Sequence, residues 1–222
     1  MFNKNSITSI LGEETLNARE RIIKAAIEEF ALRSVEFAHV RTITQKAEVN
    51  VASVNYYFHN KENLYIEILK DFSEFIEQTF CGFYEEAERI IRENNKANAR
   101  KAISDFIIGC ISKFRASQVI SSLIMIFIRE QISPSGNFKY VCDAVYKKPI
   151  LTIAKLMSVA GRRRTSEANY IVFAQSLWSN LHSYCSPNAA LLVVHGWKEI
   201  GDGEIKIVEE ALNEALEKTL GK

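Results

Sequence analysis

The sequence predicts an all-α fold, and three observations support this prediction. The 222 residues include only three prolines and nine glycines, so the longest stretches without either are of helix length. Apolar residues recur at spacings of three and four in several of these stretches, which is the period of an amphipathic helix. The chain is 47% hydrophobic and 25% charged, which is typical of a soluble protein with a sizeable core.

The composition also argues against several classes of protein. No run approaches the roughly 18 apolar residues that a membrane helix needs, and the opening segment MFNKNSITSILGEETLNARE lacks a signal-peptide pattern. The cysteines lie far apart and form no CxxC pair; they are Cys81, Cys110, Cys142 and Cys185. This pattern favours reduced, mostly buried thiols in the cytoplasm over a disulfide framework or a zinc site. We therefore expect a cytoplasmic protein without membrane contact.

Four helices are predicted in the first part of the chain, over about residues 16–33, 40–47, 51–58 and 61–92. The first has a stripe of apolar residues, formed by Ile22, Ile23, Ala26, Ile27 and Phe30. Asn50 is a suitable N-cap for the third helix, and Glu62 suits the N-terminus of the fourth. The polar segment RENNKAN then separates the two parts of the chain.

Six further helices are predicted in the second part, over about residues 98–115, 118–131, 138–160, 166–184, 188–196 and 203–220. The breaks between them contain the turn sequences SPSGN, GRRRTS, SP and GDG. The triplet Arg162–Arg164 falls in one of these breaks. It could bind an anion, although a solvated interhelical loop is the favoured interpretation.

The two short predicted helices are separated by about three residues and lie between two longer helices. This is the layout of a helix-turn-helix. On a helical period, Val54, Tyr57 and Phe58 share one side of the second short helix, with Val51 beside them. Its other residues include Asn55 and Tyr56, which suit contacts to base edges in a major groove. The alternative is that they form the polar face of an ordinary surface helix, and the four-helix context makes that interpretation the weaker one.

The segments RERIIKAAIEEFALRS and VRTITQKAEVNVASVNYYFHNKENLY resemble the N-terminal domain of TetR-family transcriptional regulators. The resemblance covers about residues 18 to 66 at the correct spacing throughout. It rests on the family positions filled here by Ala26, Phe30, Ile43, Ala47, Val49, Asn50, Tyr57, Phe58, Lys61 and Leu64. The resemblance implies a helix-turn-helix domain in residues 1–65 and a larger helical domain for ligand binding and dimerisation in residues 66–222.

Two departures from the family pattern concern backbone conformation. Glu48 and Ser34 stand where the family usually has glycine, and both positions tend to require a left-handed backbone. Residues 1 to 65 contain eight Lys or Arg and eight Glu, so non-specific attraction to phosphate should be modest. We expect it to depend on Arg41, Lys46 and Lys61.

The later segment FIREQISPSGNF, together with Gly196 and Trp197, is similar to the CecR-type subgroup of the same family. This resemblance implies a homodimer that binds a palindromic operator and a small hydrophobic effector that releases the DNA. A repressor is favoured over an activator, although the sequence does not distinguish them. The sequence identifies neither the effector nor the operator.

The family resemblance also places the DNA-binding residues. Val51, Ala52, Asn55 and Tyr56 are expected on the base side, and Arg41 is a candidate for guanine. Ser53, Tyr57 and Lys61 are expected to contact phosphate. The full predicted set is Arg41, Thr42, Val51, Ala52, Ser53, Asn55, Tyr56, Tyr57 and Lys61.

An effector cavity is predicted in the second part of the chain, because polar residues interrupt helices rich in large apolar residues. The predicted set is Phe106, Cys110, Phe127, Arg129, Glu130, Tyr140, Gln175 and Trp178. A mostly apolar cavity with a few polar anchors suits a flat or aromatic molecule, and Arg129 is the most specific candidate anchor. The alternative is that these polar groups bond to each other or reach solvent at helix ends.

Two apolar stripes near the end of the chain are candidates for the dimer interface. One comprises Tyr170, Phe173, Leu177 and Leu181, and the other comprises Ile205, Val208, Leu212, Ala215 and Leu216. A folded subunit could instead use part of either stripe for its own core.

Other classes of protein have less support in the sequence. No glycine-rich phosphate loop, HExxH or Gly-x-Ser-x-Gly motif is present, so we expect no enzyme activity, cofactor or metal. His182 and His195 lack partners for a metal or catalytic set, and we interpret them as structural. A helical adaptor that binds only protein is the remaining competitor, and it would show no DNA binding at any salt concentration.

Overall fold

The computed structural model describes residues 5–12, 15–161, 166–186 and 189–221, and the described residues contain helices but no strand. The α-helices are α1 (Ser6–Leu11), α2 (Ala18–Leu32), α3 (Val40–Lys46), α4 (Ala52–Phe58), α5 (Lys61–Glu93), α6 (Lys96–Phe114), α7 (Gln118–Ile132), α8 (Lys139–Val141), α9 (Lys148–Ala160), α10 (Glu167–Cys185), α11 (Ala189–His195) and α12 (Asp202–Leu220). A 3₁₀ turn occupies Val35–Phe37. The predicted all-α fold is confirmed.

The chain divides into two compact units. The first unit comprises Met1–Thr79 and Ser117–Val145, and the second comprises Phe80–Ala116 and Tyr146–Lys222. The first unit therefore contains α1 to α4, the first half of α5, α7 and α8. The second contains the end of α5, α6 and α9 to α12.

Helix α2 is the centre of the first unit. Asn17 accepts a hydrogen bond from the Glu20 amide, and the Glu20 carboxylate accepts one from the Asn17 amide, so a complete capping box starts the helix. All five residues of the predicted apolar stripe are fully buried. This helix packs against α7 and α3.

Helix α1 was not predicted from the sequence. Asn5 caps it by accepting from the Ile7 amide, and the Asn5 side chain also donates to the Asp71 carbonyl at 2.8 Å. Ile7 is fully buried in the first unit. The helix has six residues, which is too short for a periodic pattern, and its stability comes from tertiary contacts that the local sequence does not indicate.

The two positions where the family usually has glycine adopt different backbone conformations. Glu48 has φ 54°, so the predicted left-handed conformation is confirmed there. The same prediction was wrong for Ser34, which has φ −63° and ψ 158°. The chain leaves α2 in extended conformation at Arg33 and enters the 3₁₀ turn Val35–Phe37, so no left-handed residue is needed.

The single helix predicted over residues 138–160 is interrupted. A short helix (α8) is followed by a π-helical turn at Cys142–Lys147, and α9 begins at Lys148. Pro149 lies in the first turn of α9, and it has no N–H to donate to the preceding turn. The missing N–H of Pro149 is therefore compatible with the change from π-helical to α-helical hydrogen bonding at this point.

The second unit is built around α6, which packs against α9, α10 and α12. Ile205, Leu212, Leu216 and Leu220 form the buried face of α12. None of the helices in the described ranges is both long and apolar enough to cross a membrane by itself; only α6 and α7 taken together reach that length and composition.

Candidate DNA-binding and effector sites

Helix α4 has one small buried face and a larger exposed one. Val54 and Phe58 are buried and hold the helix in the first unit. Asn55 and Tyr56 are exposed, and Tyr56 is 79% accessible. Tyr57 and Val51 were expected to pack with Val54, but both are exposed, so the anchoring face is narrower than the sequence predicted. A helix held by two side chains leaves most of its surface available to a groove.

Hydrogen bonds fix the start of α4. The Asn50 side chain accepts from the Ala52 amide at 2.9 Å, which satisfies one of the free N–H groups at the helix start. Asn50 was predicted as the N-cap; it bonds to the helix start, but the residue directly before α4 is Val51. Ala52 is exposed and Ser53 half-buried, so both lie at the accessible end of the helix.

The cations predicted to attract phosphate have different surroundings. Lys61 donates to the carbonyls of Glu36 at 2.9 Å and Ala38 at 3.1 Å, so two of its three N–H groups bond to protein. Lys46 forms an ion pair with Glu28 at 3.1 Å. Arg41 is exposed on α3, beside half-buried Thr42. Arg41 thus keeps the most donors available for DNA.

Arg129 on α7 bonds to the C-terminus of α2. Its guanidinium donates to the carbonyls of Phe30, Ala31 and Arg33, at 2.8 Å to Ala31 and 2.9 Å to Arg33. The carbonyls at the end of a helix lack partners within the helix and carry partial negative charge. Arg129 therefore caps α2, and its donors are largely committed to backbone.

The neighbouring Glu130 is buried and fully bonded within the first unit. Its carboxylate accepts from the Tyr65 hydroxyl at 2.7 Å, and from the Ser135 amide at 3.1 Å and the Ser135 hydroxyl at 2.9 Å. Burial and the hydrogen bond to Glu130 raise the pKa of Tyr65 above its ordinary value. Arg129 and Glu130 were predicted as effector contacts, and the structure gives both of them protein partners instead.

The other predicted effector residues of the first unit lie in different surroundings. Phe127 is buried. Tyr140 is half-buried, with the Lys70 ammonium 4.8 Å and the Lys139 ammonium 5.2 Å from its ring centroid. Two lysines on one aromatic ring favour a surface cation–π cluster at this position.

Phe106 lies in an aromatic cluster in the second unit. It stacks on Phe83 with the ring centroids 3.8 Å apart, and it is parallel to Trp178 with the centroids 6.1 Å apart. Phe106, Trp178 and Cys110 are buried, whereas Gln175 is exposed on α10 and does not join them. Of the four effector residues predicted in this unit, the structure therefore brings three into the interior.

An open cavity of about 500 Å³ adjoins this cluster, between α5 and α6. Phe83 and Phe106 line it, together with the charged residues Glu86, Lys101 and Asp105. Arg89 lies beside Glu86 and, by hydrogen bonding, holds the pKa of that carboxyl below its usual value. The cavity is large enough for a small aromatic molecule.

The second unit contains two buried cysteines and a half-buried histidine. The Cys185 thiol donates to the Cys110 carbonyl at 3.8 Å, and burial raises the pKa of Cys185 to about 12. Burial lowers the pKa of His182 to about 4, so this imidazole is neutral at pH 7. All four cysteines are free thiols, and Cys81 is exposed. The described ranges contain no group of three or more His, Cys, Asp or Glu residues that could hold a metal ion.

Most of the predicted dimer stripe belongs to the core of the subunit. Tyr170 and Leu181 on α10 are buried, and so are Ile205, Leu212 and Leu216 on α12. Assigning Leu212 and Leu216 to an intersubunit surface was therefore wrong, because α12 turns this stripe towards the core that contains α6. The large apolar residues that are exposed on these two helices are Val172 and Phe173 on α10 and Ile207 on α12. The triplet Arg162–Arg164 lies outside the described residues.

The fold of the first unit and the exposed face of α4 have the arrangement of a helix-turn-helix DNA-binding domain. The family model for bacterial regulatory proteins of the tetR family matches residues 22–68. The chain is 24% identical over 211 residues to the HTH-type transcriptional dual regulator CecR of Shigella flexneri, across 94% of this chain and 92% of that protein. The chain is thus similar to tetR-family regulatory proteins in residues 22–68 and to a transcriptional regulator over most of its length.

Solved structures agree with this fold. A TetR-like transcriptional regulator from Rhodococcus sp. RHA1 superposes with a TM-score of 0.59 at 15% identity, covering 94% of this chain and all (100%) of that one. HlyIIR, a hemolysin II transcriptional regulator, superposes with a TM-score of 0.54 at 19% identity, covering 92% of this chain and 97% of that one. The identities are low, so these likenesses support the fold alone.

Proposed function

We propose that this chain is a ligand-responsive repressor that binds a palindromic operator in the cytoplasm as a homodimer. The observation that carries the proposal is the exposed face at α4. Val51, Asn55 and Tyr56 are exposed there, whereas Val54 and Phe58 are buried and anchor the helix. Asn55 can form a bidentate contact to adenine, and Tyr56 and Val51 can pack against thymine methyl groups. Arg41 is available for guanine, and Ser53 and Tyr57 for phosphate.

A second subunit would cover the exposed apolar residues of α10 and α12. Val172 is 61% accessible, Phe173 46% and Ile207 52%, and all three lie in the second unit. Both helices pack against α6, and exposed apolar residues of this size favour an interface. A twofold dimer places one α4 in each half-site of a palindrome, which is the arrangement that helix-turn-helix dimers use.

The effector binds next to the aromatic cluster of the second unit. The parallel rings of Phe83 and Phe106 offer a flat apolar wall, and the carboxylates of Glu86 and Asp105, which pair with Arg89 and Lys101, also line the cavity. This combination suits a planar aromatic molecule with a basic or hydrogen-bond-donating group. Cys110 and Trp178 remain in the proposed set, and Arg129 leaves it, because its guanidinium caps α2.

Binding-site selection with the purified protein, followed by titration of the selected duplex over a range of salt, tests the DNA-binding part. A repressor of this kind selects an inverted repeat and binds it more weakly as salt rises. A helical adaptor that binds only protein would bind no duplex at any salt concentration.

A thermal-shift screen with planar aromatic amines tests the effector part. Compounds that stabilise the protein and release the selected duplex support the proposal, provided that they fail on Phe106→Leu. Gln175→Leu is the matched control, since Gln175 is exposed on α10 and should not alter the response. Compounds that stabilise the protein without releasing the duplex would contradict the linkage between the two sites.

A further inference from the structure

Helix α3 ends in a left-handed turn that contains no glycine. The Val49 amide donates to the Thr44 carbonyl at 3.0 Å, and the Glu48 amide donates to the Gln45 carbonyl at 3.2 Å. These two bonds form a Schellman motif, in which the residue at the position of Glu48 is left-handed and is usually glycine. Glu48 has φ 54° and an exposed side chain. The strain of this conformation must therefore be offset by other contacts.

Arg21 on α2 supplies such a contact. Its Nε donates to the Ala47 carbonyl at 2.9 Å, and its Nη1 donates to the Leu16 carbonyl at 3.2 Å. The Ala47 carbonyl and the Glu48 amide belong to the same planar peptide unit. Arg21 therefore holds the carbonyl side of this unit, and Gln45 holds the amide side. The orientation of this unit fixes the backbone angles on both sides of it, and α4 begins four residues after Glu48.

We propose that Arg21 is a positioning residue for DNA binding, which holds the strained Ala47–Glu48 peptide unit and thereby presents α4 to the groove. Arg21 acts through the turn and not on the DNA. A glycine at position 48 would adopt the left-handed conformation without strain, so Arg21 would then contribute less. This dependence on residue 48 distinguishes the proposal from a general stabilising role for Arg21.

The test compares Arg21→Met in three backgrounds. These are the wild type, Glu48→Gln, which removes the charge but keeps the strain, and Glu48→Gly, which removes both. The probe is the duplex that the wild-type protein selects, and its affinity is measured by fluorescence anisotropy from low to high salt. We expect Arg21→Met to weaken binding about tenfold in the wild-type and Glu48→Gln backgrounds, and less than about threefold with Glu48→Gly. The salt dependence should stay unchanged in all three.

Two results would overturn the proposal. An equal loss in all three backgrounds would show that Arg21 does not act through the turn. If Arg21→Met reduced the magnitude of the slope of log affinity against log salt by about one, Arg21 would contact phosphate directly. If Arg21→Met does not fold, Arg21→Lys replaces it, because lysine keeps the charge but lacks Nε. The proposal rests on the proposed DNA binding. If the wild-type protein bound no DNA, the selection would yield no duplex, and this result would be distinct from a failure of the Arg21 proposal.

Discussion

Arg129 on α7 caps the Phe30 carbonyl at the end of α2, ninety-nine positions away in the chain. The same guanidinium reaches the Ala31 and Arg33 carbonyls, so a single side chain satisfies three groups at one helix terminus. Next to it, Glu130 holds the Tyr65 hydroxyl on α5. Two consecutive residues of α7 thus bond to two different helices of the first unit, α2 and α5.

We expect Arg129→Met to lower the free energy of unfolding by about 1–3 kcal/mol, because three carbonyls lose a charged donor. Arg129→Lys should recover part of the loss, since it keeps the charge beside the end of α2 but offers fewer donors in a fixed geometry. Urea denaturation measures both variants, with Lys139→Met as the control for removal of a surface cation from the same unit. Stability equal to wild type for Arg129→Met would contradict the assigned capping role.

The same contact has a consequence for DNA binding. If α7 fixes the orientation of α2, Arg129→Met should broaden the range of half-site spacings that the protein accepts, while the preferred half-site sequence stays the same. Selection with operators of varied spacing measures this preference. A change in half-site sequence would instead place Arg129 near the bases.

The sequence predicted the position of α2 to within two residues at each end, because its signals are local. The capping pair Asn17 and Glu20 and the apolar stripe lie within the helix or next to it. The partners of Arg129 could not be predicted in this way. Its charge at the end of an apolar run suggested a binding role, and only the fold reveals that the carbonyls of α2 lie within reach.

Helix α12 was also predicted correctly as a helix, but its buried face was assigned to the wrong partner. The spacing of Ile205, Leu212 and Leu216 is the same whether the stripe faces α6 or a second subunit. Periodicity gives the existence of an apolar face and not the identity of the surface that covers it. The exposed Ile207 lies on the opposite side of α12 from that stripe and was not part of the prediction.

Stability should fall at mildly acidic pH because of His182. Burial lowers the pKa of His182 from its ordinary 6.5 to about 4, so the folded protein holds this imidazole neutral. A depressed pKa contributes stability that is present above pH of about 6.5 and is lost as the pH falls towards 4. We expect His182→Gln to reduce this pH dependence in denaturation curves between pH 7 and pH 4. His195→Gln, which replaces an exposed histidine, is the control, and an unchanged curve for His182→Gln would contradict the assignment.

Asn55→Ala should relax sequence preference at one operator position, by about 1–3 kcal/mol, because it removes a bidentate partner for a base. Lys61→Ala should instead weaken binding to all sequences alike and reduce the salt dependence. It should also lower thermal stability, because Lys61 holds the carbonyls of Glu36 and Ala38. Binding-site selection with each variant separates the two effects. An unchanged sequence preference for Asn55→Ala would remove Asn55 from the base-reading set.

Phe173→Glu and Ile207→Glu should give folded monomers, because each places a charge at an exposed apolar position, Phe173 on α10 and Ile207 on α12. Leu212→Glu is the contrasting variant. Leu212 is only 8% accessible within one subunit, so its replacement should unfold the second unit and not merely separate subunits. Sedimentation velocity gives the oligomeric state, and circular dichroism gives the helix content of the same samples. A Phe173→Glu variant that stays dimeric with full helix content would remove this part of α10 from the interface, and a monomeric wild type would remove the dimer altogether.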